Sequence, residues 1–332
     1  MRLLLKILIL VLSLSVVAAG GLLWWANQPL QLRNSPLDFR VTAGSSLRSA
    51  ITQMRDAGID VEPTLLSIVA RVIRADTAIK AGSYAVKDGV TPMRLLNKLL
   101  KGKVTQGELT LVEGWTLRQW RTRMDSHPDL IHETKGLSEA QIVAQLGLDV
   151  RSLEGRLFPD TYLFDKQSSD LELLARANRA MLRKLDTEWL QREADLPYKS
   201  VDEALVMASI IEKETGREAD RPLVAAVFVN RLRKGMLLQT DPTVIYGIGA
   251  SFDGNLRKRD LLTDTPYNTY TRIGLPPTPI AMSGLASLQA ALHPADSQAV
   301  YFVARGDGSS QFSRTLDEHN QAVNRYQRGG KR

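Results

Sequence analysis

The sequence predicts an α+β protein built from an N-terminal transmembrane helix, a small α+β module and a mainly helical domain with short strands. Three observations carry that reading: an uncharged run from Ile7 to Ala26, a strand–turn–helix pattern recurring three times between residues 38 and 125, and helical periodicity dominating from about residue 136. They divide the chain into an anchor (1–26), a tether (27–37), the α+β module (38–125) and the helical domain expected to hold the chemistry (126–332). With 332 residues and 44% apolar composition, the chain can bury a core in each folded part.

The anchor follows from length and charge. Ile7 to Ala26 carries no charge over twenty residues, enough at helical rise to span a hydrocarbon core of about 30 Å, and Trp24 and Trp25 fall where an interfacial aromatic belt sits. Arg2 and Lys6 precede the run and the next basic residue is Arg33, so the positive-inside rule places the tail in the cytoplasm and the body outside. Ala18-Ala19-Gly20 offers a small-residue cleavage site, which keeps a cleaved signal peptide as the rival. The apolar run continues past that site, which favours retention. Pro29 and Pro36, without a clear period between them, mark the tether.

In the module the repeated pattern is Val41-Thr42-Ala43-Gly44-Ser45-Ser46-Leu47, Val86-Lys87-Asp88-Gly89-Val90-Thr91-Pro92-Met93, and Val112-Glu113-Gly114-Trp115-Thr116-Leu117. Each copy reads as a strand end and a glycine turn, with Ser46, Thr91 or Thr116 placed to N-cap a following helix. Pro92 holds the favoured first helical position, and Met93, Leu96, Leu99 and Leu100 repeat at helical spacing. No dense acid/base group lies here, so the module reads as a binding or spacing element.

In the helical domain, Ser138 with Gln141 forms a capping box for a helix stopping at Gly147, and Asp170 to Arg192 is a long amphipathic stretch. Leu153 to Tyr162 reads as a turn followed by a short strand. A helix is expected from about Val201 to Thr215, and another between Asp220 as N-cap, with Pro222 just inside, and Gly235. Residues 236–285 are rich in turn formers, aromatics and amides, a composition expected of a segment lining a functional groove. Tyr301 to Ala304 and Gln311 to Ser313 flank Gly306-Asp307-Gly308 as a hairpin, and Thr315 with Glu318 caps a last helix.

On the helix near 201–215, the wheel centres an apolar arc on Ala204, Ala208 and Ile211, points Ser209 and Lys213 away, and sets Glu212 and Glu214 on opposite flanks. Burial of a carboxyl against apolar neighbours raises its pKa and suits it to donate a proton near neutrality. The plainer reading is a glutamate paired with Lys213, Arg217 or Arg231, and the wheel does not choose between the two carboxylates.

Other chemistries lack support. The absence of cysteine removes disulfides, thiolate metal sites and cysteine nucleophiles. His127, His132, His293 and His319 are scattered without metal-ligand spacing; His293 before Pro294 reads as a turn residue and His319 as a helix residue. No metal or cofactor is therefore expected. No Gly-x-Ser-x-Gly elbow or phosphate-cradling loop is present. The formal charge of +7 is spread out, with a mild excess at Arg325, Arg328, Lys331 and Arg332, which suits anionic surroundings but gives no nucleic-acid signature.

Residues 207–215, Val227 to Leu232, Leu238 to Gly247, Tyr267-Asn268-Thr269-Tyr270 and Gly274 to Ile280 closely resemble the YceG-like family of endolytic murein transglycosylases, the MltG type. The resemblance extends over nearly the whole chain, including the N-terminal span, the LysM-like character of the α+β module, and Glu154 to Tyr162. It implies cleavage of the β-1,4 bond between N-acetylmuramic acid and N-acetylglucosamine to give 1,6-anhydro ends, with Glu214 as the catalytic acid/base. Gln239, Thr240, Asp241, Tyr267, Asn268 and Thr269 become candidates for holding sugars, since amides, hydroxyls and rings suit neutral carbohydrate; each suits a turn as well. Implied partners are peptidoglycan strands, the inner membrane and peptidoglycan synthases. The competing reading is a non-catalytic wall-binding scaffold, and a second is a hydrolase using Glu212 or Glu154 as an additional carboxylate.

Overall fold

A computed structural model describes residues 2–74, 79–102 and 104–329. Lys331 and Arg332 of the basic C-terminal excess lie outside the described residues. Tertiary contacts divide the chain into two compact units, Met1–Glu108 with Asp129–Ile131 and Leu163–Ser168, and Leu109–Pro128 with His132–Tyr162 and Ser169–Arg332. The division is not one cut: the third copy of the recurring motif, from Val112 to Leu117, belongs to the second unit.

The first unit begins with α1 (Arg2–Ala26), long and apolar enough to cross a membrane, with side chains from Leu3 to Val17 exposed. Its foot is different: Ala26 is fully buried, and Leu22 and Trp25 pack on the core of the unit. The expected tether contains β1 (Gln31–Leu32). There follow β2 (Leu37–Val41), α2 (Leu47–Ala57), β3 (Ile59–Asp60), α3 (Pro63–Val72), β4 (Gly82–Val86), α4 (Pro92–Lys101) and β5 (Gln106–Leu111). β1 pairs antiparallel with β3, and β2 with β4 from Leu37 opposite Val86 to Val41 opposite Gly82. Phe39 on β2 stacks on Tyr84 of β4 with ring centroids 5.6 Å apart.

The caps form where the motif puts them. Ser46 accepts from the Ser49 N–H, Thr91 from Arg94, and Thr116 from Gln119, the last with the reciprocal bond of a full capping box. Each preceding glycine, Gly44, Gly89 and Gly114, has φ between 73° and 81°, a backbone region costly for residues with a Cβ.

In chain order the remaining elements are α5 (Leu117–Asp125), β6 (Leu130–Ile131), α6 (Glu139–Gln145), β7 (Asp160–Asp165), β8 (Ser168–Ser169), α7 (Asp170–Leu190), α8 (Val201–Glu214), α9 (Arg221–Arg233), α10 (Asp241–Ile248), α11 (Lys258–Leu262), α12 (Leu285–Leu292), β9 (Tyr301–Ala304), β10 (Ser310–Ser313) and α13 (Leu316–Val323). The capping boxes at Ser138/Gln141 and Thr315/Glu318 and the β9–β10 hairpin form as the sequence indicates. Residues 236–285 are not wholly irregular, because Thr240-Asp241-Pro242 starts α10 and a second short helix, α11, follows.

Two local expectations are corrected. Ser209 does not point away from the core: it is fully buried, its hydroxyl donates to the Val206 carbonyl at 2.7 Å and accepts the Ile280 N–H at 3.0 Å. The physical reason is that residues 204–211 are buried all round, so α8 is the central helix of its unit and meets solvent only in its first and last turns. Asp220 does not cap α9 with its side chain. A 3-10 turn (Glu218–Asp220) runs straight into the helix, Asp220 takes helical dihedrals, and its carboxylate accepts the Ser310 N–H at 2.9 Å instead.

Candidate active site

The site lies in the second unit, where α8 ends. Glu214 is the last residue of α8, half-buried, with Oε1 accepting the hydroxyl of Thr240. Thr240 is the N-cap residue of α10, yet its side chain makes no bond to that helix and serves Glu214. Burial is the largest influence on the Glu214 carboxyl and pushes its pKa above the usual value; the Thr240 hydroxyl opposes, neighbouring Asp241 raises it, and Arg231 lowers it. The partial negative charge at a helix C-terminus acts in the same direction as burial.

Arg231, one of the partners expected for a surface glutamate, makes no ion pair with Glu214 among the described residues. Its guanidinium is buried and donates to the backbone oxygens of Val300 at 2.7 Å and Leu238 at 2.9 Å, and to Gln239 Oε1 at 3.3 Å. Those bonds shape the strand of chain leading into Thr240. Gln239 itself has φ of +49°, a left-handed conformation that only a well-determined neighbourhood sustains in a residue with a Cβ.

Glu212, two residues earlier, has another occupation. Its Oε2 accepts the N–H of Gly284, the N-cap residue of α12, at 3.1 Å. Lys213 between them is exposed and donates to the Gly114 carbonyl at 3.1 Å, and Gly114 in turn donates to the Met282 carbonyl at 2.8 Å. The turn of the third motif copy thus lies against the end of α8.

The remaining candidates fall into two groups. Thr240 and Thr269 are buried and interlocked: Thr269 Oγ1 accepts the Thr240 N–H at 3.1 Å, and the Thr269 carbonyl accepts the Gln239 N–H at 3.1 Å. Asn268 is fully buried, its amide donating to the carbonyls of Asp260, Leu261 and Thr263 and its oxygen accepting from the Tyr270 N–H. All three are buried, and their polar groups are taken up within the protein. Gln239 and Asp241 are exposed, Asp241 accepting the Tyr270 hydroxyl at 2.6 Å, and Tyr267 is half-buried with its hydroxyl 2.8 Å from Thr278 Oγ1.

Beside Glu214 opens a cavity of about 910 Å³, lined in part by Thr116, Leu117, Glu154, Lys213, Pro242, Tyr246, Phe252 and Ile280. Glu214 is not on its wall, but Lys213 and Pro242, its neighbours along the chain and across the Thr240 bond, are. Glu154 is the wall residue whose position sequence reasoning left open. It is 4% exposed, both its oxygens accept the Leu117 N–H at 3.0 and 3.1 Å, and Oε2 also accepts the Tyr246 hydroxyl at 3.2 Å. Burial drives its pKa up to about 7 against those donors. The adjacent Gly155, at φ +74°, lets this turn close on Pro279, where a Cβ would overlap the proline ring.

Among the described residues, Asp125, His132 and Asp170 bring potential metal ligands within 4.8 Å of one another. Asp170 already accepts the N–H and hydroxyl of Thr134. His293 closes α12, and His319 on α13 stacks on Tyr301 with centroids 5.1 Å apart.

Fold and site together define a class: a mixed helix-and-strand protein with an apolar N-terminal helix and a half-buried glutamate of raised pKa, Glu214, at the end of its central helix. The chain belongs to the YceG-like family, whose model matches residues 39–325. It is 36% identical over 276 residues, 75% of this chain and 74% of the relative, to a Bacillus subtilis (strain 168) protein named endolytic murein transglycosylase. A Streptococcus pneumoniae (strain D39) protein of the same name is 27% identical over 85% of this chain, and the match spans 57% of that longer relative. A crystal structure of a yceG-like protein from Listeria monocytogenes superposes with a TM-score of 0.53 and 31% identity, covering 86% of this chain and 98% of that one.

Proposed function

We propose that the chain is a membrane-anchored endolytic transglycosylase of peptidoglycan, with Glu214 as its only catalytic carboxyl. The observation that carries this is the Glu214 carboxyl, whose pKa burial raises above the usual carboxylate value and whose Oε1 accepts the Thr240 hydroxyl. Glu214 donates its proton to the glycosidic oxygen between N-acetylmuramic acid and N-acetylglucosamine as the C1–O bond breaks. The acetamido group of the muramic residue stabilises the cation-like carbon, as in substrate-assisted exceptions to the two-carboxylate rule. The Glu214 carboxylate then takes the proton of the muramic 6-hydroxyl as O6 bonds to C1, closing the 1,6-anhydro ring. No water is consumed and Glu214 ends protonated.

Gln239, Asp241 and Tyr267 are the groove residues that reach the sugars, with Thr240, Asn268 and Thr269 fixing them from behind. The α+β units of the first unit grip glycan in the manner of a LysM-like module. α1 spans the inner membrane with its N-terminus in the cytoplasm, which holds the site near emerging strands, where peptidoglycan synthases are the partners and strand termination the role.

The test is digestion of purified glycan strands, with products read by mass spectrometry. Anhydro-ended fragments from the native chain and none from Glu214→Gln support the reading. Reducing ends would make the enzyme a hydrolase, and products from neither protein would make it a scaffold.

A further inference from the structure

Glu154 and Glu214 are far apart in sequence yet hold the same short helix. Glu214 accepts the hydroxyl of Thr240, the residue that begins α10, and Glu154 accepts the hydroxyl of Tyr246, in the last turn of α10. Tyr246 is further fixed edge-on against Tyr267, centroids 4.9 Å apart, and the Tyr267 hydroxyl is tied to Thr278. Pro242, Ile245 and Tyr246 present one side of α10 to the 910 Å³ cavity, whose opposite wall includes Leu117 at the start of α5, the second group held by Glu154. One carboxylate therefore ties together two walls of the cavity, and through α10 it reaches the residue that orients the acid.

An ionisable group is a costly way to make such a clamp. A carboxylate accepts at both oxygens, whereas an amide would set its NH2 group against the Leu117 N–H or the Tyr246 hydroxyl, so the clamp as built needs the charged group even in a site that is 96% covered. The charged groups around it do not neutralise it: Glu139, whose carboxylate takes the Ser152 hydroxyl and the Leu153 N–H, repels it, and no salt bridge to Glu154 occurs among the described residues. Arg118 and Arg121 from α5, Asp125 at its end and Lys213 from α8 share the cavity wall, with Arg121 donating to Thr134 and Leu137 carbonyls and Lys213 to Gly114.

We propose that Glu154 is a positioning residue of the glycan-cleaving site: its carboxylate, through the Tyr246 hydroxyl, fixes α10 and so sets Thr240 against Glu214. This rests on the transglycosylase reading above. It gives the enzyme an acidic limb of activity that belongs to Glu154, separate from the alkaline limb that belongs to Glu214. Glu154 must be ionised to hold both donors, whereas Glu214 must be protonated to act.

The experiment compares the full-length chain in detergent with Glu154→Gln, Tyr246→Phe and the double variant. It measures kcat/KM for glycan cleavage from pH 5 to 9 and the carboxyl carbon resonance of Glu214 across the same range, assigned by its loss in Glu214→Gln. The expected result is an acidic limb near pH 7 in the native enzyme that Glu154→Gln lacks, with kcat/KM reduced on the order of tenfold at pH 8. Tyr246→Phe should show a similar loss, the double variant no more than either single, and the Glu214 resonance should titrate at a different pH in Tyr246→Phe, which removes no charge near neutrality. The proposal is overturned if Glu154→Gln keeps the acidic limb, if the two losses add, or if the Glu214 titration in Tyr246→Phe matches the native chain. A native chain that cuts no glycan overturns the function reading, while the resonance still decides the positioning role.

Discussion

Thr240 occupies the N-cap of α10 but gives its hydroxyl to Glu214, so a bond that ordinarily stabilises a helix start is spent on a carboxyl from another helix. The short helix is held by other means: Pro242 in its first turn, Thr269 accepting the Thr240 N–H, and Tyr246 tied to Glu154.

Removing the acid tests the centre of this arrangement. Glu214→Gln should lower glycan cleavage by about 10²–10⁴-fold, the range a positioned general acid contributes. Far-ultraviolet circular dichroism and the unfolding midpoint should stay close to those of the native chain, since the amide fills the same space and still accepts from Thr240.

Changing Thr240 tests the electrostatics. The hydroxyl donates to the ionised carboxylate and so favours it; Thr240→Val removes that influence and leaves burial and Asp241 less opposed. The Glu214 pKa then rises further. Because the enzyme works with Glu214 protonated and loses activity as pH climbs through that pKa, the alkaline limb of the pH–rate profile should move to higher pH. The maximal rate should fall on the order of tenfold through loss of orientation.

Ser209→Ala tests the core under the site. It leaves the buried Ile280 N–H without its acceptor and should cost about 1–3 kcal/mol in urea unfolding of the second unit. Ser209→Thr keeps the acceptor but adds a methyl group where there is no free space, and should cost stability as well through overpacking. An alanine variant as stable as the native chain would show that Ile280 finds another partner.

Glu154 should also appear in the pH dependence of stability. A carboxyl raised from the ordinary 4.5 to about 7 binds its proton more tightly folded than unfolded. Its contribution is therefore fully present below about pH 4.5 and is lost as pH rises through about 7. The linkage integrates to about 3 kcal/mol. Glu154→Gln should lack this slope, so the variant gains on the native chain between pH 5 and pH 8 in denaturant unfolding measured at each pH.

Much of the architecture was legible because its causes are local. Ser46, Thr91, Thr116, Ser138 and Thr315 cap their helices through contacts three residues away, and the uncharged run of α1 needs only its own length to be recognised. The motif around residues 207–215 identified the helix that carries the candidate acid. The same local logic went astray at Ser209 and Asp220, where partners 71 and 90 residues distant took the polar groups that periodicity assigned to solvent or to a cap.

What the sequence by itself determined is the set of elements and the two carboxylates at the end of α8, since turns, caps and helical period depend on neighbours along the chain. Tertiary structure alone decided their environments: Glu212 against the start of α12, Glu214 against Thr240 in a buried corner, and Glu154 between Leu117 and Tyr246 on a cavity wall. The reason is that proton affinity answers to burial and to donors in space, and those were supplied here by segments 26 to 92 residues away.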